Sequence, residues 1–116
     1  MRYRKPSMGR TAERRRIVSE PQFNEVIHAP MRLRICGMLH SAGEVEFAAI
    51  RDMLGVSDAV CSKHLKVLAE NGYVTLDKRP GNRNGHDITW VSLTDEGAEA
   101  FASHIAALQL IAAGMA

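Results

Sequence analysis

Apolar residues between positions 47 and 54 recur at helical spacing and predict a short amphipathic helix. Phe47, Ile50 and Leu54 fall on one face of two turns, while the charged residues between them point away. Gly55 follows at once and can adopt the left-handed conformation that ends a helix. The chain is therefore expected to turn sharply here into a second helix.

The second helix of this pair is predicted to run from Asp58 to Asn71. Ser57 is a favourable N-cap, the Asp58 carboxylate suits the positive end of a helix, and Gly72 is a favourable stop. One face of this helix is apolar and must be buried, at Cys61, Leu65 and Leu68.

The opposite face of this helix carries small, hydroxyl and charged side chains, at Asp58, Ala59, Ser62, Lys63 and Lys66. Such a face suits insertion into the major groove of DNA, where hydroxyl and ammonium groups meet phosphates and base edges. It also suits an ordinary solvated surface, because lysine and serine are common on any protein exterior. The helix alone does not decide between these two interpretations.

Before this pair, the sequence predicts two further helices. The first, within residues 21–28, is short because the residue before Pro30 avoids helical geometry. The second begins at Pro30, which suits a first helical turn, and ends at Gly43. Arg32 and Arg34 are expected to face outwards, where one of them can reach a phosphate or an acidic neighbour. The buried stripe of the second helix is expected at Ile35, Cys36 and Leu39.

Three segments with alternating polarity predict strands. Residues 43–47 are long enough for a stub of strand. Residues 73–79 and 87–93 predict a β-hairpin, because the loop between them is rich in proline, glycine and asparagine. Arg83 lies near the tip of that loop.

A last helix is expected over residues 95–113, with Thr94 as its N-cap. Its apolar residues form a stripe at Phe101, Ile105, Leu108 and Ala112. A chain of 116 residues has little core left for so wide a stripe to cover. We therefore expect a partner to cover it, the simplest being a second copy of the chain. The alternative is that the stripe packs wholly on its own domain.

The formal charge of +2 conceals an uneven distribution. Residues 1–16 hold seven basic residues and one acidic residue, a net charge of +6, whereas the remaining hundred hold eight basic and twelve acidic residues. We expect a basic, disordered arm over residues 1–20, followed by one domain over residues 21–113. The arm either tracks DNA phosphates and a minor groove, or is a solubilising tail or the product of too early a start codon.

Several classes of protein are not expected. Cys36 and Cys61 lie on predicted apolar faces without CxxC spacing, which indicates reduced core thiols in a cytoplasmic protein. No stretch approaches the ~20 apolar residues of a membrane span, and the N-terminus lacks the apolar run of an export signal. No nucleophile and base form a catalytic motif, so we expect no enzyme, and no cofactor or metal site is predicted.

The order of predicted elements and three local motifs resemble bacterial winged helix-turn-helix transcriptional regulators related to the MarR and ArsR families. The resemblance covers residues 27–97 and is carried by IHAPMRLRICGML, GEVEFAAIRDMLGVSDAVCSKHLKVLAENGYV and WVSLTDEG. S-x-x-x-x-S-K-H-L-x-x-L-x-x-x-G-Y-V, from Ser57 to Val74, is specific in combination with L-T-x-E-G, from Leu93 to Gly97. The resemblance implies a mainly α fold with a small β-hairpin (α+β), comprising a three-helix core, a wing and a C-terminal dimerisation helix.

The resemblance also implies which residues meet DNA. The helix from Asp58 to Asn71 is expected in the major groove, and a wing from Arg79 to His86 over the backbone or minor groove. His64 occupies a position often held by histidine in relatives, and it either contacts DNA or braces the helix. A homodimer is expected to place two recognition helices about one turn of DNA apart, roughly 34 Å, on an inverted repeat. The implied contacts are Ser57, Asp58, Ala59, Ser62, Lys63 and Lys66 on the helix, and Lys78, Arg79 and Arg83 on the wing.

Some features of related sensors are missing. Cys36 and Cys61 are 25 residues apart and the last helix holds only His104 with Glu99, which disfavours metal sensing. The terminal helices are shorter than those that enclose effector pockets in MarR proteins, so the sequence gives no support for a small-molecule effector, although the fold still allows one. The leading hypothesis is a homodimeric transcriptional repressor. The alternatives are a winged-helix protein-interaction module and a non-specific architectural DNA-binding protein.

Overall fold

The computed structural model describes residues 19–81 and 85–116. The predicted basic arm up to residue 18, and Arg83 at the predicted wing tip, therefore lie outside the described residues. Within them the predicted order of elements is confirmed. In chain order these are α1 Glu25–His28, α2 Pro30–Ala42, β1 Glu44–Glu46, α3 Phe47–Leu54, α4 Asp58–Glu70, β2 Val74–Pro80, β3 Asp87–Leu93 and α5 Asp95–Ala112.

The first two helices begin at residues that satisfy or remove an unpaired backbone N–H. The side-chain oxygen of Asn24 accepts a hydrogen bond from the Ile27 N–H at 3.0 Å, which confines α1 to the end of the predicted 21–28 segment. α2 begins at Pro30, as predicted, because proline brings no N–H that the helix would leave unpaired. Gly43 ends α2 with a φ of 86°, which other residues rarely adopt.

The turn between α3 and α4 also follows the sequence prediction. Gly55 ends α3 in the left-handed conformation, with a φ of 70°. The Ser57 hydroxyl then accepts a hydrogen bond from the Val60 N–H at 3.2 Å and starts α4. α4 ends at Glu70, one residue earlier than predicted, because Asn71 forms its C-cap.

The three strands form one antiparallel sheet in which β3 lies between β1 and β2. Val45 of β1 and Leu76 of β2 both lie opposite Val91, so the three share one face of the sheet. Val74 and Val91 are buried on this face, whereas Leu76, nearer the wing tip, is 43% exposed. The same register places Trp90 on the other face, which points away from the helices.

One hydrophobic core joins the helices to the inner face of the sheet. The apolar stripes predicted for α2 and α4 are both confirmed, since all six of their residues are buried. Complete burial of a side chain such as Leu65 contributes about 1.5–3 kcal/mol. The core consists of Ile27, Ile35, Cys36, Leu39, Ile50, Leu54, Cys61, Leu65, Leu68, Val74 and Val91.

The most buried face of α5 only partly coincides with its predicted apolar stripe, since Phe101 alone of the stripe packs against the core. The Thr94 hydroxyl accepts a hydrogen bond from the Gly97 N–H at 2.9 Å and caps the helix, as predicted. The buried residues of α5 are then Gly97, His104 and Ala107. The stripe lies beside this buried face, with Phe101, Ile105 and Leu108 half-buried and Ala112 exposed.

Candidate nucleic-acid interface

The outward face of α4 is exposed along its length. Burial of the apolar residues on the opposite side fixes the rotation of the helix about its axis. The structure therefore brings the predicted hydroxyl and basic side chains onto one surface. Its exposed members are Asp58, Ala59, Ser62, Lys63 and Lys66.

Val60 at the edge of this surface was not predicted as a site residue. It lies in the first turn of α4, and 39% of it is exposed to solvent, although it is apolar. Apolar character at Val60 gives no sequence signal for a surface site, because an apolar residue in a helix is ordinarily expected to face the core. An exposed branched apolar group at this position can contact a thymine methyl group in a major groove.

The predicted contact residues at the start of α4 have structural contacts in the free protein. Arg51 of α3 donates a hydrogen bond to the Asp58 carboxylate at 2.8 Å and another to Asp52 at 2.9 Å. The hydrogen bonds that Arg51 donates, first to Asp52 and then to Asp58, raise the pKa of Arg51. Arg51 thus offsets the negative charge of Asp58 at the start of α4. The Ser57 hydroxyl caps the helix, so its oxygen already accepts one hydrogen bond from the backbone.

The two predicted wing cations on β2 lie on opposite faces of the sheet. Lys78 is exposed and shares the face of the buried Val74, which is the face turned towards the helices. Arg79 lies on the outer face, where its guanidinium binds both carboxylate oxygens of Glu44 and donates to Asp77 at 2.9 Å. The predicted third wing cation, Arg83, lies outside the described residues.

Arg79 also stacks on an aromatic ring of the outer face. Its guanidinium carbon lies 5.5 Å from the centre of the Trp90 ring. The hydrogen bonds that Arg79 donates to Glu44 and Asp77 raise the pKa of Arg79. Sequence reasoning missed Glu44 as the partner, because the two residues are 35 positions apart and only the pairing of β1 and of β2 with β3 brings them together. In the free protein Arg79 therefore ties the wing to β1.

Arg32 does not point outwards as the sequence predicted. Its Nε donates to the Val26 carbonyl at 2.6 Å, and its Nη1 lies 3.4 Å from Nδ1 of His64, so both groups are half-buried. Arg34, by contrast, is exposed and donates to the Met53 carbonyl at 3.3 Å. The structure thus places the half-buried His64 in contact with Arg32, which favours its predicted bracing role.

A buried histidine on α5 was also missed. His104 is 0% exposed, and its Nδ1 accepts a hydrogen bond from the Asn24 N–H at 2.9 Å. Its Nε2 lies 3.2 Å from Nδ1 of His28, and the Phe23 ring meets it edge-on at 4.7 Å. Because the Asn24 N–H can only donate, the proton of neutral His104 lies on Nε2. No sequence signal indicated this contact, which joins residues 80 positions apart.

Reactive thiols and clustered metal ligands are not found among residues 19–81 and 85–116. Cys36 and Cys61 are both fully buried and unpaired, as predicted. Burial raises the pKa of Cys36 to about 11 and also raises the pKa of Cys61, which opposes thiolate reactivity. No group of three potential metal ligands occurs in this part of the chain, and none of its helices is both long enough and apolar enough to cross a bilayer.

A short recognition helix with a polar and basic outer face, followed by a two-stranded wing, defines a winged helix-turn-helix protein. The sequence of residues 31–112 matches the family described as winged helix DNA-binding domain, so the chain belongs to that family. The matched family is thus one of DNA-binding domains. A comparison with curated proteins finds no match.

Three solved structures illustrate the similarity of fold. The transcriptional regulator homologue from Pyrococcus horikoshii OT3 is 24% identical, over 93% of this chain and 98% of that one, with a TM-score of 0.72. The heme sensor protein PefR from Streptococcus agalactiae, solved in complex with heme, is 16% identical over 92% of this chain and 69% of that one, with a TM-score of 0.65. YusO from Bacillus subtilis is 21% identical over 73% of this chain and 58% of that one, with a TM-score of 0.61.

Proposed function

We propose that the chain is a sequence-specific regulator of transcription that reads double-stranded DNA with α4 in the major groove. The observation that carries this proposal is that α4, within a winged helix fold, is buried on one side and exposed on the other. One side is locked into the core, and the other presents Ser62, Lys63 and Lys66 to solvent. Ammonium groups meet phosphates and hydroxyls meet base edges or phosphates, so this side supplies both affinity and register.

The wing is proposed to contact the DNA backbone beside α4. Lys78 suits this contact because it is exposed on the sheet face that is turned towards the helices. Arg83 is expected to join it from the tip of the loop. Arg79 is the weaker candidate, since a phosphate would have to displace its two hydrogen bonds to Glu44. These bonds favour a bracing role for Arg79.

A homodimer is proposed to form through the C-terminal part of α5. Ile105, Leu108 and Ala112 lie outside the core of the chain, and Ile111 beside them is 48% exposed. Phe101 differs from them because it packs against the core and lies near Gly37 of α2. The proposed interface therefore rests on the last two turns of α5 rather than on the whole predicted stripe.

Dimerisation determines the kind of DNA site. Two symmetric copies of α4 would read an inverted repeat with half-sites about one helical turn apart, roughly 34 Å. A protein bound over such a site obstructs transcription by occupancy alone, so repression is the proposed outcome. A regulator that acts on DNA in this way would work in the cytoplasm.

Selection from a random pool of double-stranded DNA tests this function. The wild type is expected to enrich an inverted repeat, and Lys63→Ala with Lys66→Ala is expected to abolish that enrichment. Arg34→Ala is the control, because it removes an exposed cation from α2 and not from the face of α4. Binding without an enriched sequence would point to an architectural protein, and absence of binding would favour a protein-interaction module.

A further inference from the structure

One arginine of α2 contacts both α1 and the proposed recognition helix α4. We propose that Arg32 is a positioning residue for DNA recognition, which holds the middle of α4 at a fixed orientation by joining His64 to α1. The proposal rests on the DNA-binding function proposed above. It assigns Arg32 no contact with DNA, unlike the sequence prediction, which allowed it to reach a phosphate.

The first contact of Arg32 is with the end of α1. The carbonyl groups in the last turn of a helix have no partner within that helix. Val26 has such a carbonyl, and it accepts the Arg32 Nε–H at 2.6 Å. A charged donor makes this hydrogen bond stronger than a neutral donor would. Arg32 is thereby fixed at one end on a short helix that precedes its own.

The second contact of Arg32 is with the middle of α4. Its Nη1 lies 3.4 Å from Nδ1 of His64. Because arginine has only donors, Nδ1 must be the acceptor, and the proton of neutral His64 lies on Nε2. Burial, with the charges of Arg32 and Lys63, lowers the pKa of His64 and favours this neutral form. Among the described residues no carboxylate forms an ion pair with Arg32, so its directed contacts are these two acceptors.

The support for Arg32 extends to α5. The Asn24 N–H, at the cap of α1, donates to His104 at 2.9 Å, and the Gln22 N–H donates to the Ser103 carbonyl at 3.0 Å. α1 is therefore held on α5 from one side and on Arg32 from the other. A lateral shift of α4 would break the contact of Arg32 with His64, whereas the exposed lysines of α4 have no comparable restraint.

The test compares operator and non-specific DNA binding at several salt concentrations. Arg32→Met retains the apolar stem and removes the donors. It is expected to weaken binding to the selected operator about tenfold, while non-specific affinity stays within about twofold and the salt dependence is unchanged. Arg34→Met removes the same charge from the same helix, and its ratio of operator to non-specific affinity is expected to match the wild type.

Variants of His64 complete the test. His64→Leu removes the acceptor and is expected to cost as much operator affinity as Arg32→Met, with little further loss in the double variant. His64→Asn retains an acceptor near the Nδ1 position and should keep most of the affinity. If Arg32→Met unfolds the protein, the comparison of His64→Leu with His64→Asn decides the question, and equal losses in these two would overturn the proposal.

Three outcomes for Arg32→Met would also overturn it. These are an unchanged operator affinity, an equal loss of operator and non-specific affinity, or a salt slope reduced by about one, which would make Arg32 a phosphate contact. A wild type that selects no operator would instead refute the proposed function. The two failures are therefore distinguishable.

Discussion

His104 is a buried histidine whose hydrogen bonds are compatible only with the neutral imidazole. A second proton would have to enter at Nδ1, where the Asn24 N–H already donates. Burial is the main cause that lowers the pKa of His104, the adjacent His28 lowers it further, and Glu25 opposes them. His64 has a lowered pKa for a similar reason, with burial first and Arg32 and Lys63 next. Both histidines thus make the fold sensitive to acid.

The free energy of unfolding is predicted to fall as the pH falls below about 6.5, the ordinary histidine value. The unfolded chain then binds more protons than the folded chain, so stability rises with pH across this window. The stabilisation that comes from the neutral histidines is fully present above the histidine pKa of the unfolded chain. It is lost as the pH falls towards the lower histidine pKa of the folded protein. Urea unfolding at pH 7.5 and pH 5 measures it. His104→Gln should flatten the profile, and an unchanged pH dependence in this variant would refute the assignment.

At the scale of elements, the close approach of α5 to the segment just before β2 depends on a glycine. Gly97 ends the L-T-x-E-G motif and lies in the first turn of α5. A Cβ atom at this position would lie 2.0 Å from the Tyr73 carbonyl oxygen, and that carbonyl also accepts the Thr94 N–H at 3.0 Å. The sequence motif therefore marks a place where two backbone segments approach too closely for any side chain.

Gly97→Ala is predicted to destabilise the fold by roughly 1–3 kcal/mol or more, because backbone must move to admit the methyl group. Gly37→Ala is the matched control, since Gly37 lies within α2 and its added Cβ would make an ordinary contact with Phe101 at 4.0 Å. That change should stabilise the protein by about 0.5–1 kcal/mol through helix propensity. Denaturant unfolding of both variants measures the difference, and a neutral Gly97→Ala would contradict the close approach.

At the scale of the whole molecule, local features were predictable and contacts between distant segments were not. The stripe of Cys61, Leu65 and Leu68 could be predicted because helical periodicity is a local pattern. The bond from Asn24 to His104 joins residues 80 positions apart, and no periodicity specifies such a pair.

The same distinction applies to the candidate site. Burial of one side of α4 follows from its pattern, so the exposure of Lys63 and Lys66 was predictable. The hydrogen bond from Arg79 to Glu44 depends on strand register, and the contact of Arg32 with His64 depends on how the helices pack. A charged residue that the sequence pattern predicts to be exposed can therefore have a partner in the folded protein.

The quaternary prediction concerns the end of α5. Leu108→Glu is predicted to weaken self-association at least about tenfold, because it places a charge in an apolar interface. Gln109→Glu introduces the same group at the next position, which is exposed, and should leave association unchanged. Sedimentation equilibrium over a range of concentrations measures both. A wild type that remains monomeric, or two variants that behave alike, would contradict the proposed interface.

The central claim is that α4 binds DNA through its exposed lysines, and the salt dependence of binding tests it most directly. The affinity of the wild type for its selected operator should fall steeply as salt rises, because each neutralised phosphate releases counterions. Lys63→Ala with Lys66→Ala should reduce the slope of log affinity against log salt concentration by about two. A wild-type affinity that hardly changes with salt, or a slope that the two substitutions leave intact, would contradict the claim.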